Sequence, residues 1–119
     1  MACAPLLRAG IAIGAAALVA LAAGSAPSGA ADLANGRKIA AVKCQMCHGL
    51  DGQAKLPEAP NLAGQVELYL VTQLKAFHDK TRQNDMMSLV APTLSDQDMA
   101  DLAAYYAAIE VKIGKVPGE

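Results

Sequence analysis

The sequence predicts one small all-α domain. Three segments carry apolar residues at helical spacing, the stretches between them are broken by Gly and Pro, and no run alternates apolar and polar residues as a half-buried strand does. The chain has 119 residues, enough for one such domain and too few for two.

Asp32 is placed to cap a first helix running to about Lys43, with Leu33, Ile39, Ala40 and Val42 supplying apolar surface. Gly36 inside it weakens the helix and points to a close helix crossing. Gly49 to Gly64 is read as loop, because Gly49, Gly52, Pro57, Pro60 and Gly64 interrupt any regular element. A second helix is expected from about Gln65 to Asp79, where Val66, Leu70, Leu74 and Phe77 form one stripe. Lys80 to Leu94 is expected to be loop. Ser95 opens a last helix with Asp98 as its capping-box partner, and Met99, Leu102, Ala103, Tyr106 and Ile109 line one face. The tail from Gly114 to Glu119 is expected to fray.

Residues 1–31 stand apart. Arg8 precedes an uncharged apolar run, Ala9 to Ala23, and small and turn-forming residues follow to Ala31. This is the layout of a secretory signal peptide, with cleavage expected after Ala30 or Ala31 and the domain proper occupying 32–119. The run is shorter than the ~20 residues of a spanning helix, so no permanent membrane anchor is expected. Cys3 leaves with the leader. The mature chain keeps nine basic and eleven acidic side chains, a net charge of -2. No basic face for nucleic acid is indicated.

Hydrophobic residues make up 54% of the chain, but aromatics only 3%, with one Phe and no Trp. So small a core needs a staple or an added apolar filler. The two cysteines left after cleavage are Cys44 and Cys47, in Cys44-Gln45-Met46-Cys47-His48. Two thiols at this spacing can form thioethers to both vinyl groups of one haem, with His48 next in line as an axial iron ligand. A zinc site would need four ligands, and only Cys44, Cys47, His48 and His78 are candidates. A redox dithiol would want a βαβ context, and a plain disulfide leaves His48 unexplained.

A haem held by one His has a sixth position, which Met fills in many electron carriers. The loop before the last helix offers Met86 and Met87. His78, beside Asp79 and Lys80, is a bis-His alternative in what reads as a solvated helix end.

From Leu33 to about Ile109 the chain resembles the small bacterial class I cytochromes c of the periplasm. The resemblance rests on an ordered set: Cys44 to Gly49, Asp51-Gly52, Pro60 to Gln65, Tyr69-Leu70, Gln73-Leu74, Met87, Leu94 to Asp96, and Asp101 to Tyr106. It implies three to four helices wrapped around one covalent haem c, with the first and last helices crossing at Gly36 and Tyr105 or Tyr106. It implies Met87 as the sixth ligand, seven residues before Leu94, with Met86 the runner-up. It also implies that the Pro60 carbonyl accepts a hydrogen bond from His48 Nδ1 and that Arg82 approaches a haem propionate. Asp85-Met86 departs from the common pattern of Pro and a small residue before the ligand.

With both axial positions filled, the expected role is one-electron transfer between redox proteins in the periplasm, and not catalysis. The partners would be a donor and an acceptor met through a small transient interface at the haem edge. A monomeric shuttle is the first form; a cytochrome subunit of a periplasmic flavoprotein or molybdenum dehydrogenase is the second.

Overall fold

The computed structural model describes residues 29–118. The apolar run and most of the expected leader therefore lie outside the described residues. Among those residues the chain forms α1 (Leu33–Lys43), α2 (Gln45–His48), α3 (Glu67–His78), α4 (Met87–Val90), a 3-10 turn (Ala91–Thr93) and α5 (Asp96–Ala107), with no strand. The all-α class is the observed one. None of these helices is long and apolar enough to cross a membrane.

Both long terminal helices start as local chemistry dictates. The Asp32 carboxylate accepts the amides of Ala34 and Asn35, at 2.8 and 3.0 Å, and opens α1. Ser95 and Asp98 form a reciprocal capping box at the head of α5. α1 crosses α5, and α3 packs against α5 and the 3-10 turn. Met99, Leu102, Ala103 and Tyr106 of α5 are each 1–2% exposed, and Ala40 of α1 is fully buried among them. Burial of each large apolar side chain contributes about 1.5–3 kcal/mol.

The α1–α5 crossing is close. A Cβ at Gly36 would meet the Asp101 carbonyl and lie 2.8 Å from Cβ of Tyr105. Beside it the buried Asp101 carboxylate accepts the Asp32 amide at 2.8 Å, the Asn35 side-chain amide at 2.7 Å and the Gln97 amide at 2.8 Å. Burial disfavours its charge, but these three donors outweigh that and hold its carboxyl below the usual carboxylate range.

Several sequence expectations are corrected. The Lys80–Leu94 segment is not all loop. The Asn84 side chain takes the amides of Met86 and Met87, both at 3.0 Å, and starts the single turn α4, too short for any periodicity to reveal. α3 begins at Glu67 rather than Gln65 and ends at His78 rather than Asp79, which caps it. Val66 is therefore the N-cap and 64% exposed, outside the buried stripe of Leu70 and Phe77. Leu33 and Val42 of α1 are exposed, because α1 buries the narrow face of Gly36 and Ala40. Ile109 lies past the end of α5, and residues 110–118 are exposed and without a helix.

Candidate functional site

Cys44 ends α1 and starts α2. Its carbonyl accepts the amides of Cys47 and His48, at 3.2 and 2.9 Å, so a single tight turn carries both cysteines and the histidine. Both thiols are free and half-buried. Burial, partly offset by the nearby Lys43, pushes the Cys44 thiol up to about 11. A thiol that stays neutral near pH 7 is poorly suited to disulfide exchange.

His48 is buried, 7% exposed, with Nδ1 2.9 Å from the Pro60 carbonyl oxygen. A carbonyl only accepts, so the Nδ1 proton is fixed there and Nε2 is left with its lone pair free for a metal. Pro60 is held by a knitted loop. The Lys55 amide donates to the Cys47 carbonyl at 2.8 Å, the Leu62 amide donates to the Gly52 carbonyl at 2.8 Å, and the Asn61 side chain accepts the Ala54 amide at 2.7 Å.

These residues open onto a mostly apolar cavity of ≈ 670 Å³. Cys44, Cys47 and His48 line it together with Met86, Met87 and Arg82. Leu70, Leu74 and Phe77 of α3 and Leu102 of α5 supply its apolar walls. Met86 is 59% exposed, whereas Met87, the first residue of α4, is half-buried. His78 does not line the cavity, and its Nδ1 lies 2.7 Å from the Asp79 carboxylate. Arg82 is pinned at the cavity edge: its guanidinium donates to Gln73 Oε1 at 2.6 Å and stacks 4.6 Å over the Phe77 ring.

Two side chains that sequence reasoning assigned to a helix crossing, and Tyr106 also to the apolar face of the last helix, reach this region. Tyr106 lines the cavity and donates to the Gly49 carbonyl at 3.0 Å; Tyr105 donates to the Leu50 carbonyl at 2.7 Å. Their rings meet edge to face, 5.1 Å apart. The available signal was their adjacency in a chain with only three tyrosines. Lys43 likewise bridges α1 to Thr93, donating to its hydroxyl and carbonyl oxygens at 2.8 and 3.1 Å.

The donor set suits a haem. Two thiols and an imidazole with a free Nε2 share one face of the chain, and the cavity beside them is apolar, within the size range of cofactor pockets. Among the described residues no three His, Cys, Asp or Glu side chains converge to hold a metal ion by themselves. The zinc alternative therefore has no ligand shell here.

The sequence pattern of the family described as Cytochrome c matches residues 33–108. This chain belongs to the cytochrome c family. Its cofactor is accordingly one covalent haem c, the group that the Cys44-x-x-Cys47-His48 motif attaches. The cytochrome is similar to cytochrome c4 of Pseudomonas aeruginosa, 45% identical over 85 residues that span 71% of this chain and 42% of that one. It is also similar to cytochrome c-554(548) of Halomonas halodenitrificans, 46% identical over 56% of this chain and 84% of that protein. This cytochrome thus spans less than half of the first relative and most of the second. In structure it resembles reduced cytochrome c4 from Pseudomonas stutzeri, with TM-score 0.61 and 36% identity over 71% of this chain and 49% of that one. It also resembles part of a thiosulfate dehydrogenase from Marichromatium purpuratum, with TM-score 0.61 and 31% identity over 74% of this chain and 21% of that one.

Proposed function

We propose that this cytochrome is a one-electron carrier whose iron is held by His48 and Met87. The observation that carries the reading is the shared cavity: the turn with Cys44, Cys47 and His48, and the first residue of α4, border the same apolar space. When bound, the haem supplies a ferric/ferrous couple. The chain's own residues do the rest. Cys44 and Cys47 tether the group by thioethers, Pro60 fixes the His48 tautomer, and the apolar walls exclude water and favour the less charged reduced state. Arg82, already oriented by Gln73 and Phe77, is placed to meet a propionate at the cavity edge.

We further infer that the chain is exported to the periplasm and loses its leader after Ala30 or Ala31, on the strength of Arg8, the apolar run to Ala23 and the small residues that follow. There it exchanges electrons with a donor and an acceptor protein. A second reading is favoured by the likeness to part of a thiosulfate dehydrogenase: this cytochrome accepts electrons from such an enzyme as a bound subunit. The protein purified from the periplasm tests both readings. Its mass should equal the residues after the cleavage site plus one haem, it should titrate reversibly with one electron, and carbon monoxide should not bind without denaturation. A haem-free mass or ready carbon monoxide binding would overturn the carrier reading. Co-purification with a dehydrogenase of sulfur compounds would select the subunit form.

A further inference from the structure

The loop from Gly49 to Gly64 begins directly after His48 and carries Pro60, which fixes the His48 ring. Both of its ends are attached to one residue. The Tyr106 hydroxyl donates to the Gly49 carbonyl at 3.0 Å, and the Tyr106 backbone carbonyl accepts the Gly64 amide at 2.9 Å. Tyr105 adds a second tie at the same root, its hydroxyl on the Leu50 carbonyl at 2.7 Å.

The anchor itself is rigid. Tyr106 is 2% exposed in the last turn of α5, on its core face, and Tyr105 is seated by the close approach of Gly36. Burial pushes the Tyr106 hydroxyl's pKa up, so it remains a protonated donor at any physiological pH. Gly49 adopts φ 73°, and its buried carbonyl accepts both the Tyr106 hydroxyl at 3.0 Å and the Gly52 amide at 3.2 Å. Without the hydroxyl that carbonyl keeps only the longer bond from the Gly52 amide, which lies inside the loop itself, and the loop loses its side-chain tie to α5 at this end.

We propose that Tyr106, with Tyr105 beside it, is a positioning residue for His48: it closes the loop at both ends on α5 and so holds the histidine and its Pro60 acceptor in register. The inference rests on the ligand reading of His48. It predicts that opening of the Nδ1–Pro60 bond is governed by the tyrosine hydroxyls locally, and not by the overall stability of the fold.

Hydrogen exchange by NMR on the reduced, haem-loaded protein separates the two. The Ala40 amide, in the buried face of α1, reports global opening, and the His48 Nδ1 proton reports the loop. Tyr106→Phe should speed exchange of the His48 ring proton at least tenfold more than that of Ala40. Tyr105→Phe should do the same to a smaller degree, and it keeps the question answerable if the Tyr106 variant fails to assemble. Equal acceleration at both protons, or an unchanged ring proton, overturns the proposal while leaving His48 as ligand. Absence of His48 ring signals displaced by the haem ring current in the unaltered reduced protein overturns the ligand reading and the proposal with it.

Discussion

Asp101, in the second turn of α5, accepts the backbone amide of Asp32, the residue that caps α1, at 2.8 Å. The contact joins residues 69 positions apart and ties the start of the first helix to the last one. Asn35 and Gln97 complete the shell around the same carboxylate. Asp101→Ala strands three donors and is expected to cost about 2–4 kcal/mol, read as a fall in the denaturant midpoint of the haem-loaded protein.

The same carboxylate makes stability depend on acid. Its folded pKa lies below the unfolded value of about 3.9, so its contribution is fully present above that pH and is lost as pH falls through the folded value. Asp101→Asn should flatten this part of the profile. Denaturant midpoints at pH 7 and pH 3 should differ less in the variant than in the unaltered protein.

Gly36→Ala should destabilise, against the usual gain of about 1 kcal/mol for Ala over Gly in a helix. The added methyl meets the Asp101 backbone and Tyr105 Cβ, neither of which is the free end of a flexible side chain. A loss of about 1–3 kcal/mol is expected from overpacking, measured by thermal or denaturant unfolding.

Met87→Ala should abolish the iron–sulfur charge-transfer band, while Met86→Ala should keep it. Met87 is half-buried at the cavity and Met86 is 59% exposed. The reverse spectra would reassign the sixth ligand to Met86. His78→Ala should leave the spectrum unchanged, since His78 pairs with Asp79 outside the cavity.

What sequence alone determined was local. The caps at Asp32 and Ser95, the turn through Cys44, Cys47 and His48, and the core stripe of α5 each depend on residues within a few positions of one another, whose spacing sets their geometry. The all-α class followed from the same periodicity. Where local pattern was ambiguous it misled: Val42 and Val66 are as apolar as their buried neighbours, yet both face outward, because packing partners and not hydropathy select the buried face. The turn α4 was hidden because one turn has no period to read.

Only the tertiary structure decided what surrounds the haem-binding turn. Tyr106 and Gly49 are 57 positions apart, Lys43 and Thr93 are 50 apart, and Gln73 meets Arg82 across the end of α3. Gly36 lets α1 and α5 approach until their backbones nearly touch, which sets the frame on which Tyr106 and Lys43 make their contacts. A helix crossing is a long-range event set by the shape of two surfaces, and no spacing along the chain encodes which hydroxyl will meet which carbonyl.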